Sequence, residues 1–290
     1  GLELGQALSR LGVDTTLIGR HDHMAMLSDP VVLDTAIGIF RQEMHYISDG
    51  AITAVARSEA GVVVTYTDND KVSHTKTVDY LISTAGRRVN LPQLDLAAAH
   101  IAINKKGIPN FNSDTMQIDN SHVFLAGDVN AELQLLHEAA DEGAIAGANA
   151  ARIAQSQDVQ ADQRRTPLSI VFSDPNIATV GTPYRSLDLT RSAAGEVSFH
   201  NQGRSRVMLV NQGKLRVYAD TETRRLLGAE MIGPRNEHIA HLLAWAHQMG
   251  LTVDQMLDLP FYHPVIEEGL RTALRDLASN LNRRATPAND

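Results

Sequence analysis

The chain has 290 residues, 43% of them hydrophobic, and a formal net charge of -8. This length suffices for about two domains, and the hydrophobic content is ordinary for a globular protein. The negative charge gives no electrostatic support for a nucleic-acid partner, and no apolar run is long enough to span a bilayer. The absence of cysteine excludes thiol chemistry by this chain itself, and it is compatible with a cytoplasmic location.

The first stretch has the pattern of the middle of a βαβ unit. Apolar residues between Leu2 and Leu11 have helical spacing, and residues 13–18 have the composition of a strand. A small residue such as Gly1 suits a helix that packs tightly on a sheet beside a phosphate site. After the strand, no carboxylate stands at the tip. Arg20 is there instead, either as the partner of a ribose phosphate or as a solvated arginine in a turn.

The next segment is predicted to begin with a helix and to continue as a sheet, which turn residues and short apolar runs indicate. The prediction is a helix over 29–39 and antiparallel strands over 52–57, 62–67 and 71–77. A buried strand over 78–84 then runs into a glycine turn at Gly86. Nucleotides bind at the carboxyl edge of open α/β sheets, so this turn is a candidate contact.

A further apolar strand, residues 123–128, ends in Gly127 and Asp128. A carboxylate at a strand tip can accept hydrogen bonds from a polyol or ribityl chain. The helix predicted over 135–153 is rich in Ala and Gly, which allows close backbone approach. Its start either faces a flat cofactor or simply packs tightly on a sheet.

The character of the chain changes after a polar linker at residues 156–166. Strands are predicted over 168–172, 177–181, 195–199, 207–210, 215–220 and 225–232. Helices are predicted over 237–249 and 253–257, followed by a last helix that starts at Pro264 and frays from Arg283. Strands followed by a run of helices indicate an α+β domain.

His263 and Glu268 flank the predicted start of the last helix. Pro264 has a fixed φ that suits a first helical turn, and Glu268 lies early enough to fold back towards the imidazole. A histidine beside a carboxylate is the usual arrangement of a tuned proton carrier. The alternative is a histidine at a helix start with a solvated glutamate beyond it. Only His238 and His241 have one-face helical spacing, without a third ligand nearby, so no metal site is predicted.

Several separated stretches resemble the motifs of one family, in one order: residues 1–5, 84–90, 123–128, 135–143 and 171–181, with the pair His263 and Glu268. By these motifs the chain resembles the pyridine nucleotide-disulfide oxidoreductases, and within them most closely the dihydrolipoamide dehydrogenases. The resemblance extends from Gly1 to about Leu281. Val89 departs from it, because the family often has proline there.

The resemblance implies an α/β fold followed by an α+β fold. It divides the chain into a partial, Rossmann-like NAD(P)-binding domain (1–88), the carboxy-terminal part of an FAD-binding domain (89–155) and a dimerisation domain (156–290). The family's first flavin-binding half and redox-active cysteine pair have no counterpart here. We therefore expect an inactive carboxy-terminal fragment of a longer flavoprotein, and a non-catalytic dimerisation module is the alternative from another class.

The family's chemistry implies roles for particular residues. A dithiol would reduce the cysteine pair, and electrons would pass through FAD to NAD or NADP. His263 would deprotonate the substrate thiol and Glu268 would orient His263, across the interface of a homodimer. Asp128 would hold the flavin ribityl chain, with the backbone of Leu136 and His137 near the flavin ring.

The same resemblance implies contacts with the nicotinamide nucleotide. Gly1 and Gly86 would border it, and Glu3 would pair with a lysine outside this chain. Arg20 resembles a position that binds the NADP phosphate, but Met26 stands where a second arginine is usual, so NAD and NADP both stay open. Dihydrolipoamide, glutathione, mercuric ion or another disulfide stays open as substrate, as does membership of a 2-oxo acid dehydrogenase complex.

Overall fold

A computed structural model describes residues 1–20 and 24–285 of the chain. Its residues form two compact units, one of Gly1–Thr84 with Thr166–Asp290 and one of Ala85–Arg165. Within the described residues, no helix is both long and apolar enough to cross a membrane. The predicted domain boundaries, 1–88, 89–155 and 156–290, stay a prediction.

The first unit opens with two helices and a parallel strand pair: α1 Leu2–Arg10, β1 Thr16–Ile18, α2 Pro30–Glu43 and β2 His45–Ile47. Strand β1 covers the second half of the predicted strand, and Leu17 pairs with Tyr46 of β2 in parallel register. Helix α2 is confirmed and begins where its sequence dictates. Asp29 caps it by accepting a hydrogen bond from Val31 N at 2.9 Å, and Pro30 fills the first helical position.

A three-stranded antiparallel sheet follows, in the order β3 Ala51–Ser58, β4 Gly61–Thr67 and β5 Ser73–Val78. These three strands confirm the prediction. The buried strand predicted over 78–84 is wrong, because β5 ends at Val78 and the next residues form no strand. Tyr80 and Ile82 are 85% and 59% exposed. In the described chain the parallel sheet consists of β1 and β2 alone, so this apolar segment has no third strand to pair with.

The second unit consists of irregular loops and one long helix, α3 Leu136–Ala154, which confirms the predicted helix. Its apolar core comprises Leu91, Ile101, Ile108, Ile118 and Leu125. The strand predicted over 123–128 is wrong. Phe124 forms only an isolated bridge with Gln117, and a 3-10 turn, Asp128–Asn130, begins at the predicted strand end.

The remainder of the first unit is a five-stranded antiparallel sheet with strands β6 Leu168–Val171, β7 Asn176–Gly181, β8 Ser192–Ser198, β9 Lys214–Asp220 and β10 Leu226–Gly233. The spatial order is β6-β7-β10-β9-β8. Its helices are α4 Gly203–Val207, α5 Asn236–Gln248, α6 Val253–Leu257 and α7 Glu268–Ala285. With the parallel pair earlier in the chain, this element order confirms the predicted class, α/β followed by α+β.

Two predictions in this part of the chain are wrong. Residues 207–210 form no strand: α4 ends at Val207 and Leu209 has a φ of 58°, outside the β region. Pro264 does not start α7, which begins at Glu268. The tail predicted to fray from Arg283 stays helical to Ala285, and residues 286–290 lie outside the described residues.

Helix α7 packs against strand β8 at very short range. A Cβ atom on Gly195 would lie 2.3 Å from Leu277 N and 2.4 Å from Ala273 O, so only glycine fits at this contact. Ala273, Leu274 and Leu277 are fully buried in the main apolar core. This contact fixes the position of α7, whose first residue is Glu268.

We expect Gly195→Ala to lower the free energy of unfolding by about 1–3 kcal/mol, because the added methyl group must push α7 away from β8. Urea denaturation measures this change. The matched control is Gly203→Ala in α4, where an added Cβ meets no atom within 4 Å. The control should keep or slightly raise stability. Equal losses in both variants would contradict the assigned role of Gly195.

Candidate active site

The structure brings His263 and Glu268 together. His263 Nδ1 lies 3.0 Å from each carboxylate oxygen of Glu268, so the N–H of this ring nitrogen donates to both oxygens. The backbone N–H of Val265 donates to Glu268 Oε2 at 3.3 Å. The carboxylate is thereby held from two sides, by the imidazole and by the turn that precedes α7.

The electrostatics of the pair suit a proton acceptor. The hydrogen bond from His263 has the largest effect and lowers the pKa of Glu268; burial opposes it, and the Val265 donor adds a smaller lowering. An ionised carboxylate holds the proton on Nδ1 and leaves Nε2 as the basic atom. The His263 side chain is 80% exposed, so Nε2 is open to an incoming group.

Three predicted nucleotide contacts lie near the start of the first unit. Gly1 precedes α1, and a Cβ there would lie 2.4 Å from Thr84 Oγ1. Glu3 Oε1 accepts a hydrogen bond from Phe172 N at 2.6 Å, which ties α1 to the chain just after β6. The implied pairing of Glu3 with a lysine stays a prediction. Arg20 is exposed, two residues beyond β1.

Two predicted contacts with cofactors lie on turns of the second unit. Gly86 has a φ of 101°, which L side chains rarely adopt, and it is exposed. Asp128 opens the 3-10 turn after Gly127, and its side chain is 47% exposed. Arg87 donates to Asp128 Oδ2, so the carboxylate already has one cationic partner.

Below this turn lies a buried cluster of charges. Glu142 is fully buried, and its Oε2 accepts from Gly127 N and from Asn130 Nδ2, each at 2.7 Å. Arg164 donates to Glu142 Oε1 at 2.8 Å and to Glu138 Oε2 at 3.0 Å. The cluster therefore holds the Gly127 backbone before Asp128 and the Asn130 side chain after it, and leaves the Asp128 carboxylate accessible.

Leu136 and His137 occupy the first turn of α3. The residue before the helix, Leu135, offers no side-chain cap, and backbone N–H groups of a first turn have no partner within a helix. Leu136 is 89% exposed and the His137 side chain 52% exposed. This end of α3 has donors for an electron-rich group, which is the property that the predicted flavin contact needs.

The sequence did not reveal Arg87, Glu142 or Arg164 as supporting residues. Glu138 and Glu142 are spaced i, i+4, so they lie on one face of a helix of small residues, and this was an available signal. Arg164 lies in the segment predicted to be a polar linker, so no sequence signal marked it as a supporting residue. Among the residues that the structure describes, no group of three or more His, Asp or Glu side chains is arranged for a metal ion.

We expect His263→Ala to raise the pKa of Glu268 towards that of an ordinary glutamate, because its strongest hydrogen-bond donor is lost. A ¹³C NMR titration of the glutamate carboxyl groups measures it. Because folding lowers this pKa, the pair stabilises the fold above the ordinary carboxyl range and loses that contribution as pH falls through the lowered value. His238→Ala is the control, because His238 Nε2 lies 3.7 Å from Glu237 Oε1, too far for a hydrogen bond, and far along the chain from Glu268. An unchanged titration of Glu268 in His263→Ala would refute the pairing.

Comparison with known sequences supports the resemblance. The profile of the pyridine nucleotide-disulphide oxidoreductases matches residues 1–143, and the profile of their dimerisation domain matches residues 168–274. The chain is 27% identical to a dihydrolipoyl dehydrogenase of Haloarcula marismortui, over 98% of this chain and 59% of the relative. It is 26% identical to a mercuric reductase of Acidithiobacillus ferrooxidans, over 97% of this chain and 50% of the relative.

Solved structures with the same fold give a consistent result. The HOCl-induced flavoprotein disulfide reductase RclA from Escherichia coli is similar with a TM-score of 0.74 at 21% identity, over 95% of this chain and 61% of that one. LpdA from Mycobacterium tuberculosis is similar with a TM-score of 0.75 at 22% identity, over 94% and 58%. The chain thus spans about three fifths of the length of both proteins. Both profiles and these folds agree, and the chain belongs to the pyridine nucleotide-disulphide oxidoreductase family.

Proposed function

We propose that this chain is the carboxy-terminal part of a flavin-dependent oxidoreductase that oxidises a dithiol in the manner of a dihydrolipoyl dehydrogenase. The observation that carries the proposal is the His263–Glu268 pair, with both carboxylate oxygens 3.0 Å from Nδ1. The chain has no cysteine, so the redox-active pair would lie in the remainder of the enzyme. By itself, the chain is expected to be inactive.

His263 would act as the base for the substrate thiol. Only the thiolate attacks a disulfide, so Nε2 would take the thiol proton. The thiolate sulfur would bond to one cysteine sulfur of the enzyme's disulfide, whose S–S bond would break and release the other cysteine as a thiolate. Glu268 would keep the imidazole in the tautomer that this step needs. Overall, the dithiol loses two electrons and two protons, and NAD or NADP accepts a hydride while one proton is released.

The second unit fits part of a flavin site. FAD, when bound, would take up the electron pair from the cysteine pair and deliver it to the nicotinamide. Asp128 would accept a hydrogen bond from a ribityl hydroxyl, and the unpaired N–H groups near Leu136 and His137 would face the flavin ring. The cluster around Glu142 would keep the Asp128 turn in place for this contact.

Two finer alternatives stay within the same family. An NADPH-dependent reductase of a disulfide or of mercuric ion would use Arg20 for the ribose phosphate, and the similarity to a mercuric reductase favours considering it. Participation in a 2-oxo acid dehydrogenase complex would fit the dihydrolipoyl reaction instead. A nicotinamide-dependent reaction on free dithiols needs a reducing compartment, so the proposed location is the cytoplasm.

A homodimer is the proposed working form, because the chain contains the family's dimerisation domain. Helix α5 presents Leu242 and Trp245 on one face, 41% and 67% exposed, and Met249 at its C-cap is 75% exposed. Large apolar side chains at helical spacing on a surface mark a site of protein contact. In the proposed enzyme, dimerisation would carry His263 to the disulfide of the partner subunit.

We expect Trp245→Glu to shift the dimer towards the monomer, because a charge would have to be buried in the interface. Analytical ultracentrifugation of this chain measures the change. Val55→Glu is the matched control, since Val55 is 53% exposed on β3, in the three-stranded sheet and outside the proposed interface. Retention of the dimer in Trp245→Glu would refute this face as the interface.

In the full-length enzyme, we expect His263→Gln to lower dithiol oxidation by roughly 10²–10⁴-fold, the usual contribution of a general base. NADH oxidation by an artificial electron acceptor should be preserved, because it does not require thiol deprotonation. Steady-state assays of both reactions test this difference.

The control for that experiment is His74→Gln, which changes an exposed histidine of β5 that also pairs with a carboxylate, Asp68 Oδ2 at 2.7 Å, and should preserve both reactions. Equal loss of both activities in His263→Gln would contradict the assigned role. The coding sequence upstream of this chain discriminates the catalytic proposal from a non-catalytic dimerisation module. A cysteine pair spaced by four residues there would support the enzyme.

A further inference from the structure

Ser28 and Asp29, just before α2, are hydrogen-bonded to the antiparallel sheet through the buried carboxylate of Glu230. Glu230 of β10 is fully buried and accepts four hydrogen bonds. Ser28 N and Asp29 N donate to Oε2, each at 2.7 Å, while Ser28 Oγ and Tyr184 N donate to Oε1 at 2.6 and 2.9 Å. Backbone and side-chain donors from two distant segments therefore converge on one anion.

The neighbouring cap residue strengthens this connection. Asp29 is also fully buried, and Arg216 Nη1 of β9 donates to its two carboxylate oxygens at 2.8 and 2.7 Å. Tyr218 Oη donates to Asp29 Oδ2 at 2.8 Å, and burial, together with the charges of Glu230 and Asp29, raises the pKa of Tyr218. The N-terminus of α2 is thus held by β9 as well as β10.

The loop residues before Ser28 also contact the antiparallel sheet. Met24 and Leu27 are 4% and 1% exposed and belong to an apolar cluster that includes Ile177 of β7 and Ile232 of β10. Their burial therefore depends partly on residues of the antiparallel sheet. The described part of the loop, residues 24–29, has both its apolar and its polar contacts there.

We propose that the buried carboxylate of Glu230 acts as an internal anion that holds residues 24–29 against the dimerisation domain. The donors around it form a site for a carboxylate, which the chain fills with its own side chain. Removal of that side chain leaves several buried donors unpaired, and a small carboxylate from solution can replace the lost group. The dimerisation domain then sets the conformation of residues 24–29, which lead into α2.

The test is hydrogen exchange in this chain with Glu230→Ala, a change that removes a group with the shape of acetate. We expect exchange at the Ser28 and Asp29 amides to rise by about tenfold or more, because local opening no longer breaks hydrogen bonds to the carboxylate. Sodium acetate should restore slow exchange, with sodium chloride at equal ionic strength as reference. Acetamide, which has the same shape but no charge, should not.

Glu230→Gln keeps the side-chain volume and turns an amide NH₂ towards backbone donors. Exchange at the same amides should rise without any response to acetate, and this variant decides the question if Glu230→Ala does not fold. The control is Glu222→Ala, whose side chain is 72% exposed beside Arg191. Unchanged exchange in Glu230→Gln, or equal rescue by acetate and acetamide, would overturn the proposal.

Discussion

Helix α7 and strand β8 approach each other so closely at Gly195 that no side chain fits between them, and the histidine–carboxylate pair depends on this contact. The backbone of α7 lies against the sheet, so Glu268, its first residue, has a fixed position. An acidic side chain at that end also interacts favourably with the helix dipole. The carboxylate can therefore orient His263 even though the imidazole itself is largely exposed.

The molecule uses carboxylates in two distinct ways. Glu142 and Glu230 are fully buried, and each accepts backbone N–H groups that would otherwise lack partners. Asp128 and Glu268 keep 47% and 25% of their side chains exposed. The buried group in each unit holds a turn or a helix start, while the exposed group has the accessibility that chemistry requires. Burial separates supporting residues from candidate functional ones without any difference in residue type.

Local signals in the sequence predicted local structure well. Strands β3 to β5 were predicted from turn residues and short apolar runs, which act over a few residues, and helices α2 and α3 were predicted as well. The predictions over 78–84 and 123–128 were wrong because an apolar run does not say whether a partner strand exists beside it. The approach of Glu268 to His263 was predictable, since five residues separate them, although the helix was expected to start earlier.

Apart from the i, i+4 spacing of Glu138 and Glu142, the supporting residues had no such local signal. Glu230 contacts Ser28 across 202 positions, and Arg164 contacts Glu142 across 22. Such pairs are brought together by the complete fold, and their residue types are common on any protein surface. Motif comparison suggests exposed candidate residues because a family's motifs record chemistry, whereas a buried acceptor such as Glu230 leaves no short pattern in a single sequence.

Trp245 is the single tryptophan of the chain, and it lies on the exposed face of α5 with 67% of its surface accessible. Indole emission shifts to shorter wavelength when the ring leaves water, and the tryptophan emission of the unlabelled protein arises from this one residue. Dilution series or stopped-flow mixing would follow burial of that helix face in real time. The exposed tryptophan is thereby its own optical probe.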